Sequence, residues 1–270
     1  MKKLIFVLGM LGLLTMLPAR ATWAQLAAPN EMGVSMGHIH FVVQDMEAAT
    51  TFWTAMGGVP SKVAKDVFKF PGVLIFLQKG DTTLGSVGSV VNHIGFHVPN
   101  TTEALARWKA AGLKTEVGQN PGQGFVYTPD QLTRIEILED KSLTTPIAFH
   151  HVHFYIADPS GTSVLEMQSW YAKMFGAKPG KRGAFDAADL PGVNLTFTKS
   201  DTPTVGTKGR MLDHIGFEIE DLQTFCKKAE ANGVKFDKPY TNRPELGISI
   251  AFLTDPWGTY IELTQGLDKK

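Results

Sequence analysis

The amino-acid sequence predicts an α+β fold made of four copies of one β-α-β-β-β module, and three observations carry that expectation. The string His-Ile-Gly-Phe occurs twice, at residues 93–96 and 214–217. Four strand-like runs share one spacing, a His five residues before an aliphatic and seven before an Asp or Asn. These are His38 with Val43 and Asp45, His93 with Val98 and Asn100, His151 with Ile156 and Asp158, and His214 with Ile219 and Asp221. The copies begin 55, 58 and 63 residues apart, periods at which one supersecondary unit is being reused. All 8 histidines of the chain fall within these four runs.

Module one opens on the His38 run. A helix follows from Met46 to Met56, with Ala49, Phe52, Trp53 and Met56 at spacings of three and four, the period of a half-buried helix. Gly57-Gly58 stops it, and strands are expected near 62–67 and 73–78. In module two, Thr101-Thr102-Glu103 reads as a helix start and Gly112 as its stop, with strands near 114–117, 124–128 and 133–138. Module three has its helix over 163–175, a Gly/Lys/Pro/Arg loop at 178–183 and a strand at 192–197. Module four has a helix over 222–231, strands near 235–238 and 248–253, and a final strand at 259–264 after the turn Asp255-Pro256-Trp257-Gly258. One module is too small to bury a core alone, and two make a domain of ordinary size. Pairing modules in chain order divides the molecule into a leader at 25–35, a first domain at 36–140, a linker at 141–149 and a second domain at 150–266.

The histidines point to chemistry. Residues two apart in a strand share a face, so His40, His97 and His153 lie on the side of their leading His, while His150 turns away. Two acids complete the pattern, Glu136 and Glu262, each flanked by aliphatics in the last strand of its module. A buried carboxylate needs a cation, hydrogen-bond donors or a metal. Grouped by chain order the sets are His38, His93 and Glu136, then His151, His214 and Glu262. Two imidazoles and one carboxylate suit Fe(II), Mn(II), Zn(II) or Ni(II) and leave coordination positions open.

The balance of 26 basic against 26 acidic residues gives no field for nucleic acid or an anionic membrane. Lys2-Lys3, the apolar run 4–17 and the small residues after Pro18 read as a signal peptide ending at residue 24, which predicts a periplasmic or secreted protein without a membrane anchor. The lone Cys226 excludes an internal disulfide and reads as buried filler.

The repeated modules, their leading His and the ending Asp-Pro-Trp-Gly-Thr-Tyr-Ile-Glu-Leu resemble the vicinal oxygen chelate superfamily. That group includes glyoxalase I, extradiol ring-cleaving dioxygenases, fosfomycin-resistance transferases and bleomycin-binding proteins. The resemblance covers about residues 36–265 and implies two glyoxalase-like incomplete barrels with a divalent metal ion on the inner wall. It implies His38, His93, Glu136, His151, His214 and Glu262 as ligands. His40, His97, His153 and Glu218 would be the proton-transfer groups. Phe76 and Thr196 stand where the glyoxalase I pattern has a further ligand, and Gln78 and Thr198 where ring-cleaving dioxygenases carry an acid–base His. The implied activity is metal-dependent chelation of two adjacent oxygens of a small-molecule substrate, by a monomer or homodimer acting as a lyase, isomerase or dioxygenase. A metal-free drug-binding protein of the bleomycin-resistance type is the competing reading.

Overall fold

The computed structural model describes residues 26–61, 64–82, 84–157, 160–161 and 163–267; the expected signal peptide lies outside them. Each module has the β-α-β-β-β order that the repeat predicts. Module one comprises β1 (Val34–Val43), α1 (Met46–Ala55), β2 (Val59–Pro60), β3 (Val67–Phe70) and β4 (Val73–Lys79). Module two comprises β5 (Val91–Val98), α2 (Thr101–Ala110), β6 (Thr115–Val117), β7 (Gln123–Tyr127) and β8 (Arg134–Glu139). Module three is β9 (Ala148–Ala157), α3 (Ser163–Phe175), β10 (Lys178–Arg182), β11 (Phe185–Leu190) and β12 (Val193–Ser200). Module four is β13 (Leu212–Ile219), α4 (Leu222–Ala231), β14 (Lys238–Arg243), β15 (Ile248–Thr254) and β16 (Tyr260–Gln265).

The acid or amide seven residues after the leading His is a helix cap in modules one, two and four. Asp45 Oδ1 accepts from the amides of Glu47 and Ala48, at 3.0 and 2.9 Å. Asn100 and Asp221 each accept from the amide three residues on. Such caps satisfy donors that the first helical turn leaves free.

The strands form two eight-stranded sheets, ordered β14-β15-β16-β13-β1-β4-β3-β2 and β10-β11-β12-β9-β5-β8-β7-β6. In each, two modules meet through antiparallel first strands, β1 with β13 and β5 with β9. Module one therefore pairs with module four, and module two with module three. This corrects the division into 36–140 and 150–266. The segment 141–149 joins β8 to β9 inside one sheet, and the true crossings are 80–90 and 201–211, which run together through a bridge between Ser89 and Val205. Four first strands with one pattern are equally competent to pair, so the repeat is silent about partners.

Smaller departures have similar causes. Residues 178–183, expected as a loop, form β10 of a hairpin that turns at Gly183 (φ 59°); its exposed strand carries no apolar alternation to read. β14 is equally exposed and begins at Lys238, where the expected strand over 235–238 ends. The leader is anchored, with Leu26 buried and Asn30 Nδ2 donating to the Phe175 carbonyl at 2.9 Å.

One apolar core runs between the sheets and helices. Trp53 on α1 meets Phe96 on β5, and Phe175 on α3 meets Phe217 on β13 at 4.6 Å between ring centres. Ile39 and Phe41 of β1 belong to that core. Their neighbours His38 and His40, one residue out of phase, face the other side of the strand. Cys226 lies buried in α4, and burial pushes its thiol up to about 11, away from nucleophilic use.

Candidate metal centres

Register brings the polar residues together. Across the first sheet His38 stands opposite Gly216, which in turn stands beside Glu262 on β16. Across the second, His151 stands opposite Gly95, which lies beside Glu136 on β8. The glycine of each His-Ile-Gly-Phe string is the hole into which its partner strand's imidazole leans. A Cβ at Gly216 would lie 2.0 Å from His38 Cε1, and one at Gly95 would lie 2.0 Å from His151 Cε1.

The first centre, between modules one and four, gathers His38, His40, His214 and Glu262. Glu262 Oε2 lies 3.0 Å from both His38 Nε2 and His214 Nε2. The second, between modules two and three, gathers His93, His151, His153 and Glu136. Glu136 Oε2 lies 3.0 Å from His151 Nε2 and 3.5 Å from His93 Nε2. All six expected ligands are thus at the centres, but regrouped: His38 with His214 and Glu262, His93 with His151 and Glu136. The regrouping follows directly from module pairing. Both centres are complete within one chain.

His40 and His153 join the clusters as expected, while His97 and Glu218 do not. The His97 ring stacks on His150 at 3.8 Å, with Nδ1 3.6 Å from Asp140. Glu218 accepts from Thr264 Oγ1 at 2.7 Å and from the amides of Gly266 and Leu267, tying down the chain after β16. Each stands four residues beyond the leading His, roughly 13 Å along a strand, out of reach of the cluster. His150, expected to turn away, is the extra residue of a β-bulge, and its Nδ1 lies 2.9 Å from His151 Nδ1.

Bulges also place two partners that pattern reading missed. Asp213 and Asn92 are unpaired residues in β13 and β5. Asp213 Oδ1 accepts from His214 Nδ1 at 2.6 Å, and Asn92 Oδ1 from His93 Nδ1 at 2.9 Å. Each fixes the ring with its Nε2 aimed at the glutamate, as an outer partner does for a ligating His. A polar residue directly before a His in an otherwise apolar run was the available signal. Arg182 had none, since it sits on the unread hairpin. Its Nε donates to Thr196 Oγ1 at 2.7 Å, Nη2 lies 3.4 Å from His153 Nδ1, and Nη1 3.9 Å from Glu136 Oε2.

Electrostatics separates the groups. Burial would raise both glutamates, but His151 and His93 hold Glu136 well below the usual carboxylate range, as His214 and His38 do Glu262. Burial, reinforced by neighbouring imidazoles, drops His40 to about 3. Burial with His93 and Arg182 drops His153 to about 2. Burial also lowers His38, His93 and His151. Of the clustered imidazoles only His214 moves up, because Asp213 and Glu262 outweigh its burial.

The residues fit a divalent cation. His93 Nε2, His151 Nε2 and Glu136 Oε2 are buried and lack aligned hydrogen-bond partners, as do His38 Nδ1 and His40 Nε2. Buried polar atoms left unpaired are costly. Imidazole nitrogens and carboxylate oxygens converging on one point are the donor set of Zn, Fe, Mn or Ni sites.

Comparison with known proteins agrees with the fold. Residues 35–263 match the pattern of the Glyoxalase/Bleomycin resistance protein/Dioxygenase superfamily. Glyoxalase I from Zea mays superposes with a TM-score of 0.67 at 16% identity, covering 87% of this chain and 94% of the maize one. A candidate dioxygenase from Bacillus subtilis superposes with a TM-score of 0.61 at 16% identity, covering 90% and 86%. No curated protein matches the sequence.

Proposed function

Because the chain belongs to the Glyoxalase/Bleomycin resistance protein/Dioxygenase superfamily, we propose that it is an exported, divalent-metal-dependent enzyme that binds a small organic substrate through two adjacent oxygens. The observation that carries this is the convergence of two imidazoles and one carboxylate in each of two clusters, with His93 Nε2, His151 Nε2 and Glu136 Oε2 of the second buried and left without hydrogen-bond partners. His38, His214 and Glu262 would hold one cation and His93, His151 and Glu136 the other. A bound cation would supply Lewis-acid stabilisation of negative charge developing on a substrate oxygen, serving a lyase, an isomerase or a ring-cleaving dioxygenase.

The chain's own groups divide the remaining work. Asp213 and Asn92 hold the Nδ1 protons of His214 and His93, leaving Nε2 lone pairs for ligation. Phe76 closes one wall of the first centre, its ring 4.9 Å from that of His38. His40 is neutral at physiological pH, and its buried Nε2 is free, so it is the group placed to take a substrate proton. His153 is not available in that way. Arg182 only donates, so His153 Nδ1 accepts, and its Nε2 proton goes to Thr198 Oγ1 at 2.7 Å.

Metal analysis of purified protein tests the reading. Two equivalents per chain are expected, one in a His38→Ala/His214→Ala variant and none in His38→Ala/His93→Ala. Wild-type protein that stays metal-free after reconstitution overturns it and leaves a metal-free small-molecule binder. N-terminal sequencing of the mature chain tests export, with cleavage expected near residue 24.

A further inference from the structure

The two centres share a ligand set but not a charge. At the first, Glu262 and Asp213 are both carboxylates, and among the described residues no Lys or Arg forms an ion pair with Glu262. At the second, Asn92 replaces the outer acid, and the Arg182 guanidinium stands 3.9 Å from Glu136. Counting a divalent cation in each, the formal charge is about zero at the first centre and about +2 at the second. Arg134 adds to the same side, its Nη2 lying 3.4 Å from Asn92 Oδ1.

Arg182 is built to present a donor face. Thr196 Oγ1 takes its Nε, and Thr196 is itself fixed by donating to Asn194 Oδ1 at 2.7 Å. His153 takes one proton of Nη2. Nη1 has no hydrogen-bond acceptor among the described residues, since Glu136 Oε2 at 3.9 Å is too far for one. The side chain is 21% exposed, and it lines an open cavity of about 550 Å3 together with His150, Lys181 and Asn194. The cavity is not lined by His93, His151 or Glu136; the Arg182 guanidinium links its wall to the cluster, with Nη1 3.9 Å from Glu136 Oε2. A planar fork of this kind matches a carboxylate.

We propose that Arg182 makes the second centre selective for a carboxylate-bearing ligand, an α-hydroxy or α-keto acid whose carboxylate pairs with Nη1 and whose vicinal oxygens face His93, His151 and Glu136. The first centre, near neutrality and walled by Phe76, takes an uncharged vicinal-oxygen compound instead. One molecule thereby handles two substrate classes, or one substrate and one acidic effector. This rests on the metalloenzyme reading of the same residues.

The test compares lactate with lactamide, which have nearly the same shape and differ in charge. Calorimetric titrations use metal-loaded wild type, Arg182→Gln and Arg182→Lys, each repeated with Glu262→Ala to silence the first centre. Lactate should bind the second centre about tenfold or more tighter than lactamide, as a charge-assisted hydrogen bond implies. Arg182→Gln should erase that ratio, and Arg182→Lys should keep part of it. An unchanged ratio in Arg182→Gln, or no binding of either probe to the Glu262→Ala protein, overturns the proposal. Metal content measured on the same samples separates the outcomes: metal-free protein sinks the metalloenzyme reading, whereas metal-loaded protein without charge discrimination sinks only this one.

Discussion

The centre between modules one and four and the centre between modules two and three are two versions of one frame. In both, an imidazole leans over a glycine on the neighbouring strand, and a glutamate stands beside that glycine in the same row. In both, a bulged residue holds the second imidazole by Nδ1. The surroundings differ. Asp213 answers to Asn92, Gly37 to His150, and Phe76 to Thr196. His40 keeps a free nitrogen while both nitrogens of His153 are engaged. The backbone thus sets where ligands converge, whereas side chains around them set the charge and the proton traffic. Sheet register cannot vary without moving every residue, but a neighbouring side chain can be exchanged alone.

The sharpest way to break the comparison is to fill the glycine holes. Gly216→Ala should displace the His38 ring, cost about 1–3 kcal/mol in urea-unfolding stability and remove only the first metal equivalent. Gly95→Ala should do the same to His151 and the second. Either variant retaining two equivalents would show that the imidazoles need not lean where they do.

Exchanging the outer partners is expected to matter next. Asp213→Asn should weaken metal at the first centre by about tenfold to a hundredfold, and Asn92→Asp should strengthen it at the second, read by competition with a chromophoric chelator. Equal and unchanged affinities in both variants would mean that the difference between Asp and Asn is silent.

Acid should strain the second centre more in the metal-free protein. His150 and His153 are held neutral, at about 3 and about 2, mainly by burial, whereas their unfolded counterparts protonate near about 6.5. Between about pH 6.5 and 3 the unfolded state binds more protons, so stability falls as pH falls. His214 has the opposite sign, since its raised value favours the fold at low pH and that contribution fades as pH rises through it. Urea midpoints from about pH 7.5 to 4 should therefore show a flatter acid limb in His153→Gln and a steeper one in His214→Gln. Identical limbs would erase the electrostatic distinction.

The smallest effect concerns the position that both halves use alike. Asp45→Ala and Asn100→Ala should each cost about 1 kcal/mol of stability by loss of a helix cap, with metal content untouched. Metal loss in either would show that the seventh residue of the repeat reaches the centres.

Much of the molecule is legible in its local spacing. The six expected ligand positions, the clustered His40 and His153, four helices and the Asp or Asn that caps three of them follow from it, because helix and strand periods and capping act over a few residues. Misplaced expectations came where the pattern had nothing to act on. The first strand of the hairpin bearing Arg182 is solvent-exposed and lacks apolar alternation, so neither that strand nor its charge could be located. His97 and Glu218 share a face with ligands, yet periodicity reports the face and not the distance along it.

The amino-acid pattern supplies an inventory: one module four times over, with nitrogen and oxygen donors on the inward side of its strands. The company those donors keep is a matter of tertiary pairing. Local pattern is alike in four first strands, so it has no means of choosing among them. That choice is made when the crossings at 80–90 and 201–211 bring module one to module four across the chain, and with it His38 to His214 and Glu262.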